Sequence, residues 1–222
     1  MATKIIVSYD GTDSDRDALA LGRLLATAGA SLALAYVRHS KEVGGRETLA
    51  EHEAEALLEG GADWLGDPEV PRFVVLSAST PEGLKELAVK EDADAIVFGS
   101  AYRTTPGHVY PQASAERLLE GGPLAVALAP AGFADRADGP IAAVAAVDEE
   151  GDTSAAQTAA ALAARLGTTV ESRPSPNAGL LIVGSKAPAV QGTVLISAAS
   201  AYLIELTNCP AIVLRRGVAL TF

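Results

Sequence analysis

One apolar segment that ends at a Gly-Ser pair occurs twice, and it constrains the fold more than any other feature of the sequence. The first copy runs from Ala95 to Ser100 and the second from Leu180 to Ser185. A short, continuous apolar run is typical of a strand buried on both faces of a parallel sheet. Glycine at its carboxyl end allows a sharp turn or a close approach to the backbone, and open parallel sheets bind their ligands at that end. The segment therefore predicts a repeated fold and a candidate site.

Strand-like and helix-like segments alternate around the first copy. Strands are predicted at 5–9, 31–37, 73–76, 95–98 and 123–129, and helices at 14–28, 46–65, from Thr80 onward and at 113–120. This alternation predicts an α/β fold with a doubly wound parallel sheet.

A linker separates this unit from a shorter second one. Residues 132–139 lie between two prolines and predict a linker, so we expect domains at 1–131 and 140–217. In the second unit a strand ends at Asp148, as the first strand of the chain ends at Asp10, and a helix ends at Gly167. The strand after that helix is followed almost at once by the second Gly-Ser segment. The second unit is therefore expected to lack one helix–strand–helix segment.

The composition excludes several classes of protein. The chain has 222 residues, of which 49% are hydrophobic, and this is enough for a sizeable core. Its net charge of −11 argues against nucleic acid or an anionic membrane as the main partner. A single cysteine rules out an internal disulfide and a cysteine-based metal cluster. We expect Cys209 to be a buried structural thiol.

The first residues lead directly into a predicted strand, so we expect no signal peptide. No apolar run approaches the ~20 residues that a membrane helix needs. We therefore expect a cytoplasmic protein.

Four features together resemble the universal stress protein family in its tandem form. They are the strand that ends at Asp10, the Val-Phe-Gly-Ser element at 97–100, the helix opening at 115–117, and the segment Cys209-Pro210 with the apolar strand after it. The resemblance covers nearly the whole chain. It implies two flavodoxin- or Rossmann-like sheets in tandem, of the adenine nucleotide alpha hydrolase type, the second of them truncated.

Members of this family that bind ATP carry Gly-x2-Gly-x9-Gly-Ser/Thr, whose glycines let the backbone wrap phosphates closely. In the first repeat Gly99 and Ser100 fit, but Tyr102 and Gln112-Ala113 replace the later positions. In the second repeat Gly184 and Ser185 fit, but Ala187 and Ser197-Ala198 replace the later positions. Gly107 and Gly192 lie in the loops out of register, where they could restore some backbone freedom. The spacing is thus kept twice while the phosphate-binding glycines are lost twice.

If a nucleotide binds, the first repeat is the better candidate. The family uses the acid that ends the first strand and the backbone near the end of the second, which correspond here to Asp10 and Val37. The candidate site comprises Asp10, Val37, Gly99, Ser100, Arg103, Gln112 and Ser114. The alternative for Asp10 is a turn former that caps Gly11-Thr12, and the alternative for the polar loop is simple solvation.

Three functions are compared. The first is a stress-response binding module that holds ATP or another adenine nucleotide in the first repeat. The second is a regulatory protein with a degenerate site, no cofactor and no bound nucleotide. The third is an enzyme, for which little is visible: the histidines at 39, 52 and 108 are isolated, and no catalytic residue or metal ligand is predicted. We favour the second function and keep the first as the alternative.

The two repeats are also expected to pair with each other. In the family the last strand commonly pairs antiparallel with its copy in a dimer. Here the strands at 124–129 and 211–214 could do so within one chain, because both are too apolar to remain exposed edges. A further homodimer is expected because the truncated repeat leaves apolar surface uncovered.

Overall fold

One sheet runs through the whole protein in the computed structural model, which describes residues 2–39, 50–137, 139–175 and 178–222. Within those residues it has nine strands in the order β3-β2-β1-β4-β5-β9-β8-β6-β7. The first half contains β1 (Lys4–Ser8), α1 (Asp13–Thr27), β2 (Ser31–His39), α2 (Glu51–Leu65), β3 (Arg72–Ser77), α3 (Thr80–Glu91), β4 (Ala95–Phe98), α4 (Ala113–Leu119) and β5 (Ala125–Leu128). The second half contains β6 (Ala143–Val147), α5 (Ser154–Leu166), β7 (Thr169–Glu171), β8 (Leu180–Val183), α6 (Ala198–Leu206) and β9 (Ala211–Val213). The predicted α/β fold with alternating helices is confirmed.

The two halves join through the antiparallel pair β5 and β9. Val126 lies opposite Val213, and Leu128 lies opposite Ala211. The other strand pairs are parallel. The expected pairing of the two last strands within one chain is therefore confirmed. It gives the sheet a pseudo-twofold axis between β5 and β9.

Alternating side chains bury both faces of the sheet, as the period of two in a strand requires. In β8, Leu180 and Ile182 belong to the core on the face of the sheet that α1, α2 and α5 cover. Leu181 and Val183 belong to the core on the other face, which α3, α4 and α6 cover. Both Gly-Ser strands are buried at every position, as predicted for a strand covered on both sides.

The helix ends follow the predicted signals with two differences. The helix predicted from residue 46 is observed from Glu51, and its predicted start lies outside the described residues. Helix α3 begins at Thr80, although the Thr80 hydroxyl, expected from the sequence to cap it, does not do so: the cap is Ser79, whose hydroxyl accepts a hydrogen bond from the Glu82 N–H. Gly167 ends α5 in the left-handed conformation, as expected.

Cys209 is buried, which confirms the prediction of a structural thiol. Burial raises the pKa of this thiol to about 11. A thiol with such a pKa is almost fully protonated at neutral pH, so it is a poor nucleophile.

The second half is shorter because the chain passes directly from β7 to β8. Residues 172–175 and 178–179, the part of this connection that is described, contain no helix or strand. The counterparts of α2, β3 and α3 are therefore missing from this connection, and β7 forms an edge of the sheet. Tyr202 and Leu206 of α6 are exposed. Among the described helices, none combines the length and the apolar character needed to cross a membrane.

Candidate functional site

A cleft of about 930 Å³ opens at the carboxyl ends of β1 and β4, where an open parallel sheet binds its ligands. Four segments line it: residues 10–17 before and within α1, residues 100–104 after β4, residues 112–113 at the start of α4, and part of segment 131–135 after β5. The cleft therefore belongs to the first repeat.

The cleft brings together four of the seven predicted site residues. Asp10, Ser100, Arg103 and Gln112 line it, whereas Val37, Gly99 and Ser114 are not among the lining residues. The Val37 side chain is buried on the α3 face of the sheet, where α3 packs closely on it.

Gly99 has a packing role at this end of the sheet. A Cβ at residue 99 would overlap the carbonyl oxygen of Ser14 in the first turn of α1. Glycine is thus required here for the close approach of α1 to the end of β4.

Ser100 and Gln112 are both committed to the protein. The buried Ser100 hydroxyl donates to the Ala129 carbonyl oxygen (2.8 Å) and accepts from the Tyr110 N–H (3.2 Å). The Gln112 Nε2 donates to the Gly99 carbonyl oxygen (3.0 Å). These hydrogen bonds fasten the loop to the strand ends.

Backbone donors of the loop between β4 and α4 are also used within the protein. Five of these N–H groups donate to an acceptor within the protein. The pairs, donor first, are Ala101 to Tyr110 O (2.8 Å), Thr104 to Ala101 O (3.1 Å), Gly107 to Ala131 O (2.7 Å), His108 to Thr105 O (3.0 Å) and Tyr110 to Ser100 Oγ (3.2 Å). A phosphate cradle needs several N–H groups that converge on one anion. In this loop these five donors close the loop on itself and on the segment after β5.

The second repeat closes its loop in the same way. In both repeats the serine of the Gly-Ser pair donates to a carbonyl 29 residues later and accepts from an N–H 10 residues later. Gly192 donates to the Arg216 carbonyl as Gly107 donates to that of Ala131. Both glycines have positive φ, +91° at Gly107 and +81° at Gly192. They are out of register with the family motif but equivalent to each other, and they close the loops.

Carboxylates dominate the charge of the cleft. Five aspartates line it, against two arginines; they are Asp10, Asp13, Asp15, Asp17 and Asp135, with Arg16 and Arg103. The buried Asp15 Oδ2 accepts from the N–H of Asp10 (3.0 Å), the N–H of Thr12 (2.8 Å) and the hydroxyl of Thr12 (2.8 Å). Asp15 thus binds N–H groups of the turn after β1. Burial raises the pKa of Asp15, although these hydrogen bonds oppose the shift.

Asp17 holds the segment after β5 against α1. Its carboxylate accepts from the N–H of Gly132 (2.9 Å) and of Ala134 (2.8 Å), and burial raises its pKa. In the second repeat, Asp152 accepts from Gly217, the equivalent of Gly132 (2.8 Å). Sequence reasoning missed these carboxylates, because aspartates close to the start of a helix are common in general. The only signal in the sequence was a glycine after the last strand of each repeat.

An arginine spans the corresponding strand ends of the second repeat. The Arg216 guanidinium donates from Nη1 to the Ser185 carbonyl (2.9 Å) and from Nη2 to the Glu150 carbonyl (2.8 Å). Ala131 holds the equivalent position in the first repeat. Asp148, the predicted counterpart of Asp10, accepts from the Ala156 N–H in the first turn of α5 (2.9 Å).

The comparisons with known proteins agree with this architecture. The model of the Universal stress protein family matches residues 1–130, more than half of the chain. The chain belongs to the universal stress protein family. No curated protein matches it significantly.

Solved structures extend the likeness of this universal stress protein to both repeats. A universal stress protein from Archaeoglobus fulgidus DSM 4304 is similar over 96% of this chain and 98% of its own, with a TM-score of 0.70 and 12% identity. A protein of unknown function from Pseudomonas aeruginosa PAO1 is similar over 97% of this chain and 93% of its own, with a TM-score of 0.63 and 14% identity. At these identities the likeness shows the fold alone.

Proposed function

We propose that this protein is a non-catalytic regulatory member of the universal stress protein family whose nucleotide site is degenerate. One observation carries the proposal. Five backbone N–H groups of the loop after β4, where the family motif would cradle phosphate, donate to acceptors of the protein itself. A phosphate that used any of these five donors would have to break hydrogen bonds that close the fold.

The charge of the cleft supports the same proposal. A triphosphate would approach five aspartates and two arginines. Asp15 and Asp17 are nearly inaccessible, with 4% and 5% of their surface exposed, so solvent screens them weakly. Repulsion from these groups adds to the loss of donors, because like charges in a weakly solvated site disfavour each other.

The alternative is adenine nucleotide binding by the first repeat. The size of the cleft favours it, since about 930 Å³ falls within the usual range for ligand sites. Arg103 and Arg16 line the cleft and could contact phosphate. In this alternative the nucleotide is held by arginines rather than by a glycine-rich backbone.

Calorimetry with ATP, ADP and AMP at millimolar concentration separates the two functions. We expect no saturable binding in the micromolar range. A dissociation constant of about 10 µM or tighter, equivalent to roughly 7 kcal/mol, would overturn the proposal if Arg103→Ala abolished it. Arg117→Ala is the matched control, because Arg117 is exposed on α4 and does not line the cleft. Gly99 substitutions are unsuitable here, since a Cβ would overlap Ser14 and disturb the packing of α1.

A homodimer of this chain stays a proposal. The exposed Tyr202 and Leu206 of α6 are apolar surface of the truncated repeat that such a dimer would cover.

A further inference from the structure

A second cavity lies on the pseudo-twofold axis, away from the cleft of the first repeat. It measures about 270 Å³ and lies between α4 and α6, the equivalent helices of the two repeats. Equivalent residues of the two repeats line it in pairs. Leu119 of α4 corresponds to Ile204 of α6, and Glu120, directly after α4, corresponds to Glu205 of α6. The cavity is therefore formed where the two repeats meet.

The body of this cavity is apolar and firmly held. Leu119 and Ile204 are buried. Just beyond α4, the Gly121 N–H donates to the Val194 carbonyl (2.7 Å), and the Val194 N–H donates to the Gly122 carbonyl (2.8 Å). These two bonds join the end of α4 to the loop before α6. The cavity is thus formed by packed side chains and paired backbone rather than by a free loop.

The rim of the cavity is acidic. Glu116, Glu120 and Glu205 are exposed at its edge, and among the residues that the structure describes no lysine or arginine lines it. None of the three forms an ion pair with any residue in the described part of the chain. The exposed phenol ring of Tyr110 completes the rim and offers an aromatic face to a cation. The net charge of −11 on the whole chain favours the approach of a cation further.

We propose that this axial cavity binds a small organic cation, with a compact apolar body and one ammonium or amidinium group. The apolar body would lie against Leu119 and Ile204, and the cationic group would meet Glu120 and Glu205. The volume of about 270 Å³ lies just below the usual range for drug-sized ligands, so the ligand is small. This proposal uses no residue that lines the cleft of the first repeat, and it is independent of the proposed function.

Benzamidine is the probe, because it joins a flat apolar ring to a permanent cation. Benzamide and benzoate have the same ring with a neutral and an anionic group. Amide chemical shifts of the full protein, titrated with each compound, report binding and its location. We expect saturable millimolar binding of benzamidine, with shifts in α4, α6 and residues 194–196. Benzamide should bind more weakly, and benzoate should not bind.

Two variants test the assignment of residues. The double variant Glu120→Gln with Glu205→Gln removes two charges without changing size and should weaken benzamidine by about fivefold or more. Glu59→Gln, on the opposite face of the sheet, is the matched control and should leave affinity unchanged. Ala201→Leu narrows the cavity without altering charge and should also reduce binding.

Three results would overturn the proposal. The first is equal affinity for benzamidine and benzamide. The second is an affinity for benzamidine that is unchanged in both the double variant and Ala201→Leu. The third is a set of chemical-shift changes confined to residues 10–17, which would place the cation in the acidic cleft of the first repeat. Because ATP is tested at that cleft with Arg103→Ala, failure of either idea can be recognised without the other.

Discussion

Ser100 and Ser185 should contribute equally to stability, because they make equivalent hydrogen bonds in the two repeats. Each hydroxyl is essentially inaccessible, donates to the residue after the last strand of its repeat and accepts one loop N–H. Changing either to alanine leaves a buried carbonyl and an N–H without their partner. Since one unsatisfied buried group costs about 1–3 kcal/mol, we expect each variant to lose about 2–3 kcal/mol.

The double variant should lose the sum of the two. β4 and β8 are separated by β5 and β9, so the serines lie about three strand spacings apart, roughly 14 Å or more. Effects at that distance usually add within about 0.5 kcal/mol.

Urea unfolding of the two single variants and the double variant measures these free energies. Ser114→Ala is the control, because Ser114 is only half-buried and its side chain makes no hydrogen bond within the described part of the chain. A loss below about 0.5 kcal/mol at either serine, or a difference above about 1.5 kcal/mol between them, would refute the claim that both repeats use one loop-closing device.

The remaining predictions concern a buried acid and two glycines. Burial raises the pKa of Asp15, so the native state binds more protons than the unfolded chain just above the ordinary aspartate pKa, and stability should fall as pH rises through that window. Asp15→Asn keeps an acceptor for the three hydrogen bonds, so urea unfolding between pH 3.5 and 7 should show a flatter profile; an unchanged slope would show that other groups set it. Gly99→Ala should lower the free energy of unfolding by about 1–3 kcal/mol, because a Cβ there overlaps the Ser14 carbonyl oxygen. Gly60→Ala should raise the free energy of unfolding by about 0.5–1 kcal/mol, because Gly60 lies inside α2 with nothing within 4 Å of the added Cβ. Thermal unfolding compares the two glycine variants, and a Gly99→Ala protein more stable than Gly60→Ala would contradict the packing described at β4.

The fold could be predicted from sequence because its signals are local. Strand burial, the Gly-Ser ends and the stop at Gly167 each depend on neighbours along the chain. The pairing of β5 with β9 followed from the strand pairing common in the family, together with two apolar strands that could not remain exposed.

The site could be predicted only in part, because its hydrogen bonds join residues far apart. Asp17 meets Gly132 and Ala134 across 115 and 117 positions. Gly107 and Gly192 were identified as sources of backbone freedom, but their role depends on which carbonyl each loop reaches. Val37 was placed by family position for its backbone, and its side chain belongs to the core beneath α3.

The ladder between β5 and β9 also affects how this protein can evolve. In a dimer of identical chains each change appears in both subunits, so a deletion that suits one site is imposed on its copy. Within one chain the halves can diverge: Ala131 leaves the first site open, while the equivalent Arg216 spans the second. The ladder keeps the shortened half beside its neighbour at any protein concentration, because both strands belong to the same molecule. A loss of two helices and a strand that would deprive a separate subunit of much of its core is therefore tolerated here on one side only.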